Sequence, residues 1–241
     1  MEDADLVLNV FLRTVLANIE SNVRSWDVDV ERECPELLSE TGDGLQPTSI
    51  DVFLESEDAV VCIESKFASD AASGVGPCPQ VSGRHSRPGR CRGFHGRGSD
   101  LAGTDAWCRL SIADGERPPR LYWELAKRCF TPDVFVQQSE DEKCPFYEMY
   151  QLMRVFLFAD QYALRHHKSH FAVLVMAPER RATKLRRQIT AFRPMLLLQL
   201  RERLQFASYE SFVNALISVG GTHPKNVAQF LTDQIDLTGN E

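Results

Sequence analysis

The sequence predicts an α/β fold, and three observations carry the prediction. Apolar and acidic residues alternate early in the chain, Trp26, Val28 and Val30 against Asp27, Asp29 and Glu31, at the period of a half-buried strand. Apolar residues at helical spacing precede that stretch and return far downstream. Between two such helical stretches lies Phe171 to Ala177, an unbroken apolar run of strand length.

Asp5 to Arg24 reads as an amphipathic helix on Leu6, Val10, Leu16 and Ile19. Trp26 to Glu33 is the first strand, and Thr41-Gly42-Asp43-Gly44 is a turn. Ile50 to Glu55 and Ala59 to Phe67 follow as strands, separated by Ser56-Glu57-Asp58, which makes a compact meander. From residue 68 to 119 the periodicity fails, and Gly, Pro, Ser, Arg and Cys accumulate in an irregular insertion. Order returns at Leu121-Tyr122-Trp123. Pro145 to His166 is a strong helix, Phe171 to Met176 a buried strand ended by Pro178, and Ala182 to Phe206 a long basic helix with Pro194 as a kink. Ser208 to Ser211 caps a further helix, Phe212 to Val219. No internal repeat is present, and residues 1–241 read as one domain interrupted by the insertion.

The chain has 241 residues, 43% hydrophobic and 25% charged, proportions that exclude intrinsic disorder, collagen and a small cystine-stapled scaffold. Its longest apolar run is far short of the roughly 20 residues of a membrane helix. The acidic start, Met1-Glu2-Asp3-Ala4-Asp5, is unlike a secretory signal, so a cytoplasmic location is expected. Charge is unevenly spread. Residues 1–64 hold 16 acidic and 3 basic side chains, residues 65–241 hold 18 and 24. Arg180, Arg181, Lys184, Arg186, Arg187, Arg193, Arg201 and Arg203 form one basic run, and the insertion holds a second from Arg84 to Arg97. Acidic and basic zones side by side suit a protein that brings cations and phosphates together, and equally suit two solvated faces.

The most informative residues are Asp51, Glu64, Ser65 and Lys66. Glu64 and Lys66, two apart on a strand, share a face. A hairpin centred between Glu57 and Asp58 pairs residues whose numbers sum to 115, which sets Asp51 opposite Glu64 with Cβ atoms about 5 Å apart. Two carboxylates that close repel unless a cation lies between them. Hard oxygen ligands, with the Ser65 carbonyl beside them, suit Mg²⁺ or Mn²⁺, and a neighbouring lysine could orient water or stabilise charge on a phosphate. A surface salt bridge is the competing reading of Glu-x-Lys. Against it, Ala59 to Ile63 is apolar as in a central strand, where three charges facing one way are costly without a task.

At these residues the sequence resembles the PD-(D/E)xK nuclease superfamily, the restriction-endonuclease-like fold. The resemblance rests on Pro47-Thr48-Ser49-Ile50-Asp51, on Cys62-Ile63-Glu64-Ser65-Lys66 after a short turn, and on Tyr150-Gln151-Leu152-Met153-Arg154 in the later helix. It looks like a bacterial branch with a cysteine-containing insertion, although Pro47 is not adjacent to Asp51. The resemblance implies an αβββαβ core with a central mixed sheet flanked by helices. It also implies that Asp51 and Glu64 ligate the metal, that Lys66 is the catalytic lysine, and that Gln151 positions a phosphate or the lysine. Some members add a glutamate from the first helix; Glu20 is the candidate, with a solvated helix-end acid as the competing reading.

Cys78, Cys91, Cys108 and Cys144 flank turn-forming residues in or beside the insertion, and four thiolates could hold Zn²⁺ or an iron-sulfur cluster; Cys129 is a substitute ligand. No Cys-x-x-Cys is present, and free thiols are the alternative. The sequence thus points to a Mg²⁺-dependent nuclease that hydrolyses DNA, with Arg154, Arg181, Lys184 and Arg187 on the phosphate backbone. RNA remains open as substrate. The rival function is a non-catalytic, metal-stabilised module of the same fold that binds nucleic acid or protein.

Overall fold

The structure is a computed structural model, and it describes residues 2–16, 25–41, 46–67, 75–78, 118–135 and 144–237. Helix α1 spans Glu2–Val15, and strands β1, β2 and β3 span Asp27–Glu33, Ser49–Glu55 and Ala59–Ser65. Helices α2 (Tyr122–Cys129) and α3 (Tyr150–Arg165) precede β4 (His170–Ala177). Then come α4 (Thr183–Phe192), β5 (Leu204–Ser208), α5 (Tyr209–Val219) and α6 (Thr222–Leu237). Among the described residues no helix is long and apolar enough to cross a membrane.

The five strands form one sheet in the order β1-β2-β3-β4-β5. The first two pairings are antiparallel, and the pairings of β4 with β3 and β5 are parallel. The sheet is therefore mixed. Parallel neighbours need crossovers, and α3 and α4 supply them. One face carries Phe53, Val60, Cys62, Val173 and Val175 against α2, α3 and α4, with Phe130, Phe146, Phe156 and Phe192 clustered beneath and Phe130 edge to face with Phe146 and Phe192. The other carries Leu54, Val61, Ile63 and Leu174 against Phe11 and Leu12 of α1, Leu16 just after it, and Ala215 of α5. Helix α6 closes over α1 and α5 through Ala228 and Ile235. Covered on both faces, β3 and β4 are apolar along nearly their whole length, as buried parallel strands must be.

The main departure from the sequence reading is the stretch 182–206. It is not one kinked helix. The α-helix ends at Phe192, Arg193–Met195 and Leu198–Arg203 are 3₁₀ turns, and Leu204–Ser208 is the edge strand β5. Pro194, in the first of those turns, has no N–H to continue the helix. Part of the basic run is engaged within the fold. Arg193 Nε donates to the Leu204 carbonyl at 2.9 Å, and Arg201 Nε to that of Leu196 at 3.1 Å. Arg203 lies over the Phe171 ring, and Arg186 pairs with Glu179 at 2.7 Å. These charges hold the turns together.

The sequence reading also missed α2 and α6. Tyr122, Leu125, Ala126 and Cys129 are buried at helical spacing, but over only two turns. Cys129, the substitute ligand, is a core thiol whose pKa burial pushes up. Cys62 is likewise buried in the core.

Candidate active site

Strand pairing positions the carboxylates. Val52 pairs with Ile63 and Phe53 with Cys62, a register in which residue numbers sum to 115, so Asp51 and Glu64 sit opposite one another at the end of the hairpin. Asp51 is fixed by the Ser65 amide, which donates to its Oδ2 at 2.7 Å. Glu64 lies on the central strand β3, between β2 and β4, and is only 2% exposed.

Two donors converge on one Glu64 oxygen. Its Oε1 accepts from Lys66 Nζ at 2.6 Å and from Gln151 Nε2 at 2.6 Å. Lys66 Nζ also donates to Gln151 Oε1 at 3.0 Å, so the Gln151 amide bridges lysine and carboxylate. The other oxygen, Oε2, is buried and has no hydrogen-bond partner among the described residues. Burial pushes the Glu64 pKa up to about 7, with the Lys66 charge opposing and the Asp51 charge adding to the rise. Burial also raises Asp51, against the Ser65 amide and Lys66. Two neighbouring carboxylates disfavoured as anions, one with an unsatisfied buried oxygen, are what a site for a hard divalent cation looks like without its charge. The donors present fit such an ion.

Gln151 occupies the first turn of α3 and is packed from above by Gly76. That glycine has φ +58°, and a Cβ built on it would stand 3.0 Å from Gln151 Oε1, so the close approach and the left-handed backbone both require glycine. The buried Gln188 of α4 fastens the same segment, accepting from the Val75 amide at 3.0 Å and donating to the Glu148 carbonyl at 2.9 Å.

Arg154, one turn after Gln151, serves a second buried carboxylate. Glu40 Oε1 accepts from Arg154 Nη2 at 3.0 Å, from Arg120 Nη1 at 3.2 Å and from the Tyr122 hydroxyl. Its Oε2 takes the Thr48 amide at 2.6 Å. Arg154 Nε adds a bond to Thr48 Oγ1 at 2.9 Å. The guanidinium thus braces the start of β2, three residues before Asp51, while it also lines a cleft of about 370 Å³ with Gln46, Ser49, Asp51 and Gln151. Glu31, at φ 52° in β1, lines that cleft too, and its Oε2 accepts from Ser49 Oγ at 2.9 Å.

Sequence reasoning missed Glu40 and Glu31. No local pattern marks Glu40, whose cationic partners lie 80 and 114 residues away. In the sequence Glu31 stands out only as one acid of an alternating strand.

The remaining residues are placed as follows. Lys184 and Arg187 are exposed on α4, and Arg181 is half-buried just before it. Cys78 and Cys144 are half-buried against the core, and their backbones meet at Tyr147, whose carbonyl accepts from the Cys78 amide and whose amide donates to the Cys144 carbonyl, both at 2.9 Å. Glu20, Cys91 and Cys108 lie outside the described residues. Among the described residues, no three His, Cys, Asp or Glu side chains converge as a metal site, so Asp51 and Glu64 form a pair that main-chain oxygen and water would complete.

A family model described as "Restriction Endonuclease associating with ARP" matches residues 36–234. No curated protein and no solved structure matches the chain.

Proposed function

The chain belongs to the family described as restriction endonucleases associating with ARP, and from that premise we propose that it is a divalent-metal-dependent nuclease that hydrolyses phosphodiester bonds in DNA at Asp51, Glu64 and Lys66. One observation carries the reading: Glu64, buried on a central strand, directs one oxygen to Lys66 and has the other beside Asp51 with no partner among the described residues. A binding module has no need of that arrangement.

Asp51, Glu64 and the Ser65 carbonyl are the groups that would hold Mg²⁺ or Mn²⁺, and the bound ion would supply Lewis-acid stabilisation of phosphate charge and an acidified water. Glu64 gives up its proton as it takes on that role, since burial holds the carboxyl near pH 7. Lys66 presents a cationic Nζ that stabilises negative charge as it accumulates on the phosphate oxygens. Gln151 keeps the Lys66 ammonium and the Glu64 carboxylate in one geometry, so neither reorganises during the reaction. Arg181, Lys184 and Arg187 would contact the DNA backbone, which supplies affinity without sequence information. The family's description adds association with ARP, which fits a protein partner. Within the same proposal the chain is one domain, and Cys78, Cys91, Cys108 and Cys144 bind zinc or an iron-sulfur cluster that gives the insertion a core, a reading supported by the meeting of Cys78 and Cys144 at Tyr147.

Digestion of plasmid and oligonucleotide DNA with Mg²⁺ or Mn²⁺ tests the activity. Lys66→Ala and Asp51→Asn should abolish cleavage while DNA affinity persists, because both residues act on the transition state. Wild-type protein that shows no divalent-dependent cleavage, or Lys66→Ala protein that cuts as wild type does, would refute it.

A further inference from the structure

Tyr209, the first residue of α5, lies within the cap at Ser208 to Ser211 and outside the Asp51, Glu64 and Lys66 motif, yet it meets the catalytic strand from the face opposite Glu64. Its hydroxyl shares a hydrogen bond with the Ser65 hydroxyl. Its ring packs edge-on against Phe67, with centroids 5.0 Å apart. Ser65 and Phe67 are the two chain neighbours of Lys66, so one side chain grips the backbone on both sides of the lysine. The grip extends further. The Ser65 amide is the donor that fixes Asp51 Oδ2 at 2.7 Å. The Lys66 amide itself donates to the Met176 carbonyl of β4 at 2.8 Å, which ties the same short stretch to the sheet.

Tyr209 is itself well anchored. It packs among Phe212 and the apolar residues of α1 and α5, and the Ser208 hydroxyl that caps α5 accepts from the Ser211 amide at 3.1 Å. Burial raises the Tyr209 pKa, with the Ser65 hydrogen bond opposing and the Asp51 and Glu64 charges adding, so its hydroxyl stays protonated at neutral pH and lies within electrostatic reach of both carboxylates.

Resting on the nuclease reading above, we propose that Tyr209 is a positioning residue of the active site: through Ser65 and Phe67 it fixes the end of β3 so that Asp51 and Lys66 hold the geometry that cleavage requires. It acts from behind the strand and does not touch the substrate. Residues that orient metal ligands from outside the coordination sphere commonly matter by about 10–100-fold in affinity or rate.

The full chain and its Tyr209→Phe, Ser65→Ala and doubly substituted forms would be compared in DNA cleavage with Mg²⁺ and in Mn²⁺ calorimetry without DNA. Tyr209→Phe keeps the ring against Phe67, so the thermal midpoint should hold. Its kcat should nevertheless fall about 10–100-fold with KM within about twofold, and Mn²⁺ affinity should weaken about tenfold. Ser65→Ala should lose a similar factor, and the double substitution no more than the larger single loss, because all three remove one bond. Tyr209→Phe that cuts and binds Mn²⁺ as wild type does, or losses that multiply in the double form, would overturn the positioning role. Wild-type protein that cuts no DNA would overturn the nuclease reading and this inference with it, an outcome told apart because the control itself fails.

Discussion

Replacing Glu64 by glutamine keeps the shape of the side chain and removes the charge that burial penalises. In metal-free protein the carboxyl is raised from 4.5 to about 7, which corresponds to on the order of 3 kcal/mol. Below pH 4.5 the group is protonated in folded and unfolded chains alike and costs nothing. From pH 4.5 to 7 the unfolded chain ionises while the buried carboxyl keeps its proton, so stability is lost across that window and stays lost above it, where the folded protein holds a buried carboxylate. With a chelator at pH 8, Glu64→Gln should therefore be more stable than wild type by up to about 3 kcal/mol, or roughly 6–12 °C for a chain of this size, and the gap should close toward pH 4.5. Mg²⁺ at pH 8 should stabilise the wild type and leave the variant unchanged, since only the wild type gains a ligand set. Thermal melts followed by circular dichroism from pH 4.5 to 8.5, with chelator and with Mg²⁺, would measure all of this. A variant no more stable than wild type at pH 8, or a gap that does not change with pH, would show that Glu64 is adequately paired by Lys66 and Gln151 and would refute the argument from its unpartnered oxygen.

Gly76→Ala should cost about 1–2 kcal/mol for the left-handed backbone, and it should slow cleavage by pushing Gln151 off Lys66; urea melts and single-turnover rates would show both. Glu40→Gln should destabilise the protein by about 3–5 kcal/mol, because Arg120 and Arg154 are left as buried cations without their counter-charge, and chemical denaturation would measure the loss.

What the sequence disclosed and what it concealed follow from the range of the interactions. The β2–β3 hairpin was legible because two strands with clear alternation flank one short turn, which sets the register and places Asp51 across from Glu64. The cap at Ser208 was legible for the same local reason. Strand β5 was not. Leu204 to Ser208 follows a run of good helix formers, and its strand character comes from lying beside β4, with Val173 paired to Leu204. The Glu40 cluster joins a residue beside a turn to Arg120, Tyr122 and Arg154, and Tyr209 reaches Ser65 across 144 residues of sequence. Contacts made at that distance leave no periodicity to read.

The site is assembled from contacts of very different reach along the chain. Asp51 meets Ser65 across 14 residues, whereas Gln151 meets Glu64 only after the chain has travelled 87 residues through the long insertion. Closing the longer loop costs about 2 kcal/mol more in chain entropy. The hairpin that carries both carboxylates can therefore form early in folding, before the bridging amide of Gln151 and the cover of α3 arrive. During that interval the two acids face each other with only the Ser65 amide and Lys66 beside them, and a divalent cation captured then would steer the order in which the rest of the chain closes around them.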